Sequence, residues 1–394
     1  MKPRGLLLGL LLAAAAAVQA AANGPESSFS VDEIRQILRH GPWPPAVSGD
    51  PSNRVAGNRD AVELGRALFF DVRLSADNTM ACVTCHSPEH ALSDGRDRAR
   101  GRVRLDRNTV GLWNVAMAHW FGWDGAADSP WAFVIRPILN PDEMAATPRH
   151  VAAFMQGDAT LVCLYRKAFG SRPRNDPERV LVDVAKALAA YLGTLISGKS
   201  DFDLLFDALS RGDAAAAAKY PADARRGLAL FFGRGQCHVC HFGPNFSNGE
   251  FHDIGIPYLV ESGRVDPGRH GGIHQVKRDR FNRLGEFSDE LAGSSGDHTR
   301  HVAQNHATYG QFKVPSLRNV ELTPPYMHNG SLQTLRDVVR HYSELPVERL
   351  HQDGEALLKP LNLSEADIDS LVAFLRTLTS RQFPQMDRLS PTCK

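Results

Sequence analysis

The sequence lacks an excess of charge of either sign. It has 45 Lys and Arg residues against 44 Asp and Glu residues, and its formal net charge is +1. Such a balance does not predict binding to nucleic acid or to an anionic membrane. With 394 residues, 43% of them hydrophobic and 23% charged, the chain resembles a globular protein of two or three domains. Composition alone therefore names no partner.

Long hydrophobic runs are also lacking, except at the N-terminus. There Lys2 and Arg4 precede an apolar run from Gly5 to Val18, and three alanines follow. This order is typical of a secretory signal peptide, which we assign to residues 1–22. The alternative is a membrane anchor, but the run of about 14 residues is short against the roughly 20 that a span needs. We therefore expect export to the periplasm and no membrane span in the mature protein.

Cysteine is scarce, yet its placement is the most informative feature of the chain. Four of the six cysteines form two copies of one pattern, Cys82-Val-Thr-Cys85-His86 and Cys237-His-Val-Cys240-His241. C-x-x-C-H is the attachment signal of a c-type haem, in which the thiols form thioethers and the histidine binds the iron. The alternatives are a four-cysteine zinc site and a redox dithiol. Zinc would not need a histidine after each pair, and a dithiol would not need to recur, so the pattern predicts two covalent haems.

The two remaining cysteines are Cys163 and Cys393. An oxidising compartment permits a disulfide between them. However, Cys163 lies in an apolar helical pattern and Cys393 lies near the end of the chain. These settings favour two unpaired thiols.

A repeated segment precedes both haem motifs. "ELGRALFF" (63–70) before the first is echoed by "RRGLALFF" (225–232) before the second. Such self-similarity indicates two related units. We therefore expect a mostly α fold with long ordered loops and two cytochrome c-like domains, 23–215 and 216–394, each with one covalent haem.

Two further segments have a helical pattern, and one long segment does not. "SEADIDSLVAFLRTL" has Ser364 as a candidate N-cap with Asp367 three residues later, and "DPERVLVDVAKALAAYLGTLIS" also predicts a helix. Residues 243–312 are rich in Gly, His, Asp and Arg and show little periodicity. That length is unusual for a loop, so we expect an ordered excursion that wraps a site.

Several longer stretches carry a resemblance to a known family. They read "LFFDVRLS", "RNTVGLWN", "FGWDG", "NPDEM" and "FKVPSLRNVELTPPYMHNGSLQTLRDVVRHY", and they span roughly residues 55–380 in this order. With the two C-x-x-C-H motifs, the chain resembles the bacterial di-haem cytochrome c peroxidase family, and specifically its MauG-like branch. The resemblance implies a peroxide-reacting haem at the first motif and an electron-transfer haem at the second.

The resemblance also implies two catalytic residues. Glu143, in "NPDEM", would move a proton between the two oxygens of hydrogen peroxide; without the family it would be read as a solvated carboxylate at a helix start. Trp123, in "FGWDG", would lie between the haems and pass electrons, although a buried Trp also fills space.

A calcium ion and several partners follow from the same resemblance. The calcium ligands would be Asn108, Thr323 and Pro325, since amide and carbonyl oxygens suit this cation. The expected partners are hydrogen peroxide and either a small electron-donor protein (a cytochrome c or cupredoxin) or a protein substrate. Family members are often homodimers, but the sequence identifies no interface.

Three positions depart from the peroxidase members of the family. Arg102 stands where they have the distal histidine of the first haem, which predicts an open or water-bound iron. His90, four residues after His86, lies on the proximal side and is not expected to reach around the haem edge, so another histidine such as His119 is the alternative ligand. Phe133 stands in place of a pocket glutamine, leaving Glu143 and Arg102 to polarise the peroxide.

At the second haem, Tyr342 stands in place of an axial methionine. A tyrosine ligand favours the higher oxidation states of iron, and the resemblance to the MauG-like branch then implies a bis-ferryl state. The alternatives are that Tyr342 only donates a hydrogen bond and that His341 or Met327 is the ligand.

Two functions remain open from the sequence. One is a periplasmic di-haem peroxidase that acts at an open first haem. The other is a non-enzymatic di-haem electron carrier with two six-coordinate irons. "NPDEM" favours the peroxidase, because a carrier has no need of a carboxylate near the iron.

Overall fold

A computed structural model describes residues 29–46, 49–257, 259–260, 263–290, 293–345, 357–386 and 393. The predicted signal peptide at 1–22 lies outside these residues.

The described part of the chain is mostly α-helical, as predicted. Its helices are α1 Val31–Ile37, α2 Arg59–Phe69, α3 Cys82–Cys85, α4 Pro130–Leu139, α5 Pro148–Gly157, α6 Ala159–Phe169, α7 Pro177–Leu192, α8 Asp201–Ser210, α9 Ala214–Ala217, α10 Ala222–Phe232, α11 Arg269–Arg278, α12 Asp297–His301, α13 Leu335–Glu344 and α14 Glu365–Arg376. Two short antiparallel strands, β1 Phe251–His252 and β2 Phe312–Lys313, pair with each other. Within the described ranges, no helix combines the length and the apolar character that crossing a bilayer requires.

Two hydrophobic cores organise these helices. The first core is built by α2 and α4–α7, and the second by α1, α8, α10, α13 and α14. The second core thus includes Phe29 and α1, although they precede the first core in the sequence. After α1, the first core takes its residues up to Leu195 and the second core resumes at Phe202, although Phe287 later returns to the first core. The domain boundary at 215/216 stays a prediction, but the cores divide earlier than that.

The repeated segment has the same structural role in both cores. It forms α2 in the first core, which packs on α7, and α10 in the second, which packs on α14. A methyl group at Gly65 would overlap the Ala187 carbonyl of α7, and one at Gly227 would overlap the Ser370 carbonyl of α14. Both glycines therefore allow a helix to approach its partner more closely than any side chain permits.

The helices predicted from periodicity form where their capping residues indicate. Ser364 caps α14, and its hydroxyl accepts a hydrogen bond from the Asp367 backbone N–H while the Asp367 carboxylate accepts one from the Ser364 backbone. Asp176 caps α7 in a similar way. Each cap satisfies backbone donors that the first helical turn leaves without partners.

The described residues of the 243–312 segment, all but 258, 261–262 and 291–292, form an ordered excursion, as predicted. It contains β1, α11 and α12, and Phe287 packs into the first core. Val265, Asp266 and Gln275 line a cavity beside the first haem motif. The excursion starts from the second motif and wraps the site of the first.

The expectation that Cys163 and Cys393 are unpaired is wrong. The two form a disulfide, with their Cα atoms 6.0 Å apart and a sequence separation of 230 residues. Cys163 lies on α6 in the first core, whereas Cys393 follows α14 of the second core. On the way, Phe383 packs on Trp113, with the ring centroids 4.8 Å apart. The described residues Met386 and Cys393 therefore pack against the first core, and the disulfide ties Cys393 there.

Candidate haem sites

The first C-x-x-C-H motif opens onto a cavity of about 510 Å³. Its walls bring together residues that lie far apart in the sequence. Those predicted for function and found there are Cys82, Cys85, His86, Asn108, Trp123, Phe133 and Glu143. These predicted residues therefore share one site.

The imidazoles of the two motifs are oriented by equivalent hydrogen bonds. His86 Nδ1 lies 3.0 Å from the Leu92 carbonyl oxygen, and His241 Nδ1 lies 3.0 Å from the Phe246 carbonyl oxygen. An Nδ1–H that donates to a carbonyl leaves Nε2 with the lone pair that iron binds. Burial lowers the pKa of His86, and it lowers the pKa of His241 to about 4. Both rings are therefore neutral at neutral pH, as an iron ligand must be.

The two carbonyl groups share an uncommon backbone conformation. Leu92 has φ +64° and Phe246 has φ +50°, in the left-handed region that large side chains rarely adopt. Both side chains are fully buried in their cores. Burial of the side chain thus holds each carbonyl where the histidine needs it. No sequence motif marks these two acceptors, because each is a backbone carbonyl and the two lie at different distances, six and five residues, after their histidines.

The cysteine thiols have the properties of haem attachment points more than those of a redox dithiol. Burial raises the pKa of the Cys82 and Cys237 thiols to about 12 each. A reactive dithiol needs a thiol pKa lowered towards neutrality. The pairs also lie against different cores, Cys82 on the first and Cys237 on the second, so they do not assemble into one four-cysteine zinc site. Two separate thiol pairs, each followed by an oriented imidazole, fit two covalent haems.

Glu143 lines the first cavity and is held in place by its own motif. The Asn140 side chain donates a hydrogen bond of 2.7 Å to Glu143 Oε1. Burial raises the pKa of the Glu143 carboxyl, against smaller lowering effects of this hydrogen bond and of the Arg136 charge. A carboxyl with a raised pKa exchanges protons more readily near neutral pH. Asn140 is the first residue of "NPDEM" and Arg136 lies four residues before it. The motif and the residues just before it could therefore have indicated both partners of Glu143.

Arg102 does not share this cavity. Its guanidinium pairs with Asp77 in an exposed position, so the expectation that Arg102 helps Glu143 to polarise peroxide is wrong. The physical reason is that the nearby carboxylate holds the side chain at the surface. Arg136 does line the cavity, as do Arg107 and Arg264, and it donates a hydrogen bond of 2.6 Å to Gln275.

Other histidines lie away from the first cavity. His90 is exposed, and His119 is exposed beside His298, with ring centroids 5.9 Å apart. Among the described residues that line the cavity, His86 is the only histidine. This arrangement supports a first haem without a second histidine ligand.

Tyr342 lies beside the second motif. Burial, followed by the electrostatic influence of Cys237 and Cys240, raises the pKa of its hydroxyl. The alternative ligand His341 is engaged elsewhere, since its Nε2 lies 2.8 Å from the Ile254 carbonyl oxygen. Tyr342 is therefore better placed than His341 to meet a second haem, while Met327 stays an alternative.

Trp123 and two of the proposed calcium ligands, Asn108 and Thr323, lie on neighbouring loops. The Trp123 indole donates a hydrogen bond of 2.9 Å to the Asn108 carbonyl oxygen. The Asn108 side chain donates one of 2.6 Å to the Arg96 carbonyl oxygen. A methyl group at Gly111 would lie 3.7 Å from the Thr323 side chain, so the two loops that carry the proposed ligands are neighbours. The calcium site itself stays a prediction.

Comparison with known proteins agrees with this geometry. The family model for di-haem cytochrome c peroxidase matches residues 59–211. The methylamine utilization protein MauG of Methylorubrum extorquens is 36% identical over 321 residues, which cover 81% of this chain and 78% of that protein. Cytochrome-c peroxidase IdrP2 of Pseudomonas sp. (strain SCT) is 30% identical over 376 residues, covering 94% and 90%.

Two solved structures share the fold. A MauG-like protein associated with microbial copper homeostasis has a TM-score of 0.65 at 24% identity, covering 86% of this chain and 96% of that one. The di-haem peroxidase BthA from Burkholderia thailandensis has a TM-score of 0.65 at 23% identity, covering 85% and 88%. With relatives of both kinds, MauG proteins and cytochrome c peroxidases, the chain belongs to the di-haem cytochrome c peroxidase family of oxidoreductases.

Proposed function

We propose that this protein is a periplasmic di-haem c-type peroxidase of the MauG-like kind, which reduces hydrogen peroxide at the first site. One observation carries the proposal: the Glu143 carboxyl and the first C-x-x-C-H motif share a cavity in which His86 is the only histidine among the described lining residues. When bound, the first haem supplies the iron at which peroxide is reduced, and the second haem supplies stored electrons.

Glu143 would move the proton on which cleavage of the O–O bond depends. Reduction of one hydrogen peroxide to two waters consumes two electrons and two protons. The ionised carboxylate takes the proton from one oxygen of the peroxide and returns it to the other, which then leaves as water. The hydrogen bond from Asn140 keeps one carboxylate oxygen fixed and leaves Oε2 to carry the proton.

The second site would deliver the electrons. Cys237 and Cys240 would attach its haem, and His241 and Tyr342 would bind its iron. Trp123 would connect the two sites. The electrons come from a small cytochrome c or cupredoxin, or from a side chain of a protein substrate.

Three further features belong to the same proposal. The signal peptide at 1–22 would direct the chain to the periplasm, where C-x-x-C-H haems and a disulfide such as Cys163–Cys393 persist. A calcium ion would bind at Asn108, Thr323 and Pro325. The homodimer common in the family is proposed on resemblance alone.

Substitution of Glu143 tests the proposal. In Glu143→Gln we expect both haems to attach, but the reaction of the oxidised protein with peroxide to slow by about 10²- to 10⁴-fold, because the proton carrier is lost. Stopped-flow absorbance measures this rate. Glu89→Gln, which changes an exposed carboxylate three residues after His86, should leave it unchanged. Unaltered kinetics in Glu143→Gln would remove Glu143 from the mechanism.

The pH dependence follows from the raised pKa of Glu143. Because the carboxyl must be ionised to accept the proton, the rate should rise with pH until the pH passes this pKa and then level off. The rise should therefore lie at a higher pH than an ordinary Glu would give, and it should be missing in Glu143→Gln.

The alternative function, a di-haem electron carrier, makes the opposite prediction. A carrier with two six-coordinate irons would respond to peroxide slowly, and equally slowly with and without the Glu143 carboxyl. The position of Glu143 in the first cavity favours the peroxidase.

A further inference from the structure

Arg107 and Asn108 hold Trp123 and Asp124 in place beside the first haem cavity. Arg107 Nη1 pairs with Asp124 Oδ2 at 2.7 Å. The next residue, Asn108, accepts through its carbonyl oxygen the 2.9 Å hydrogen bond of the Trp123 indole. The Arg107–Asn108 pair thus contacts the Trp123–Asp124 pair at both positions. All four residues line the cavity.

Arg107 also connects this pair to the 243–312 excursion. Its Nε and Nη2 donate parallel hydrogen bonds of 2.7 Å each to the two oxygens of Asp266. Asp266 Oδ1 also accepts a hydrogen bond of 2.9 Å from the Gly268 backbone. A planar guanidinium matches a carboxylate in this two-pronged way, which a lysine cannot do. One side chain therefore joins three separate segments.

Both carboxylates depend on Arg107 for their charge balance. The side chains of Asp124 and Asp266 are only 7% and 5% exposed. Burial alone would raise the pKa of Asp124, but the charge and hydrogen bond of Arg107, together with smaller contributions from Arg136 and the Ala126 backbone, outweigh burial and lower it. Removal of Arg107 would leave two buried carboxylates without this counter-charge, and the segments that carry them would have to move.

The same pair of residues connects to the second half of the protein. The Asn108 backbone N–H donates a hydrogen bond of 2.7 Å to the His328 carbonyl oxygen. The His328 ring stacks on Phe312 with centroids 3.5 Å apart, and the Arg107 guanidinium lies 5.7 Å from the same Phe312 ring. The segment that fixes the indole is therefore itself fixed from both sides.

We propose that Arg107 is a positioning residue for Trp123, which sets the orientation of the indole between the two haem sites by holding Asp124 and Asp266 together. This role rests on the proposed function of Trp123 as the connection between the sites. Arg107 does not exchange electrons or protons; it acts through the indole that its neighbours hold.

A double-mutant cycle tests the proposal. Arg107→Gln is made in the parent protein and in Trp123→Phe, both carrying two haems, and EPR follows how fast the ferric signal of the second haem is lost after peroxide is added. We expect Arg107→Gln to slow this step by about tenfold in the parent and to have no further effect in Trp123→Phe. Equal slowing in both backgrounds would overturn the proposal. Arg107→Lys, which keeps the charge but not the two-pronged geometry, should show an intermediate effect and serves if Arg107→Gln does not fold.

A matched control separates positioning from a general loss of stability. Arg54 also pairs with two carboxylates, Asp183 of α7 and Asp289 of the excursion, but it lies away from Trp123. Arg54→Gln should lower the thermal midpoint and leave the electron-transfer step unchanged. If it slows that step as much as Arg107→Gln does, the effect is not specific to Trp123.

A second readout does not depend on the reaction. Ultraviolet resonance Raman spectra, taken as the difference between each protein and its Trp123→Phe version, report the hydrogen bond of this one indole. We expect Arg107→Gln to shift that signal and Arg54→Gln to leave it in place. If Arg107→Gln shifts the signal but Trp123→Phe reacts at the normal rate, Arg107 positions the indole and Trp123 does not act as a relay. Such a result would support the positioning role and refute the relay function. An unshifted signal would overturn the positioning role itself.

Discussion

The two haem motifs have the same local structure and different surroundings. At each, the histidine contacts a carbonyl held by a buried residue with positive φ, Leu92 or Phe246. Opposite the first motif lies a cavity of about 510 Å³ with Glu143 in its wall. Beside the second lies Tyr342, whose hydroxyl is influenced by both motif cysteines. The two motifs thus orient their histidines in the same way, and the facing residues distinguish the two sites.

The largest expected change comes from giving the second site the methionine of the peroxidase members. In Tyr342→Met we expect the reduction potential of the second haem to rise, by a sizeable part of the roughly 0.8 V range over which axial ligands tune haem. Spectroelectrochemical titration measures both potentials. The first haem should keep its value, because Tyr342 lies at the other motif. Should the second potential stay where it is, Tyr342 is not a ligand.

Loss of the Cys163–Cys393 disulfide should have a smaller effect, on the stability of the fold. Cys163→Ser should lower the free energy of unfolding by about 2–4 kcal/mol, because the disulfide closes a long loop in the unfolded chain. Chemical denaturation followed by circular dichroism measures the change. Cys393→Ser should give the same value, and the double variant should add nothing further. A double variant less stable than either single variant would show that the cysteines act independently.

Substitution of the repeated glycines Gly65 and Gly227 should have the smallest effect, and a similar one in each core. Gly65→Ala and Gly227→Ala should each lower the free energy of unfolding by about 1–3 kcal/mol. The new methyl group would overlap a carbonyl of the partner helix and force α2 away from α7, or α10 away from α14. Gly157→Ala is the control, because nothing lies within 4 Å of a methyl group there. Denaturation monitored at each haem should show that each change weakens its own half first. Equal weakening of both halves would mean that the cores do not respond separately.

Local sequence patterns predicted most of what local forces determine. The haem motifs, the capped helices α7 and α14 and the mostly α fold all follow from periodicity and spacing over a few residues. Glu143, by contrast, was singled out by the resemblance of "NPDEM" to the family; in the structure Asn140 of the same stretch holds its carboxyl.

Contacts between distant segments were not predictable in this way. The Cys163–Cys393 disulfide joins residues 230 positions apart. Packing of Phe29 and α1 in the second core depends on where the chain returns after folding, which no local pattern encodes. Arg102 was placed in the pocket by its position along the chain, whereas the nearby Asp77 decides where its side chain lies.

The most direct test of the account is the reaction of the fully oxidised, haem-loaded protein with hydrogen peroxide in the absence of any reductant. Optical and EPR spectra follow the ferric signals of both haems. If His86 is the only histidine at the first iron, the first haem is open, and both ferric signals should be lost rapidly. A protein that reacts only after one electron has been supplied would contradict the account, because a second ligand would then be closing the first iron.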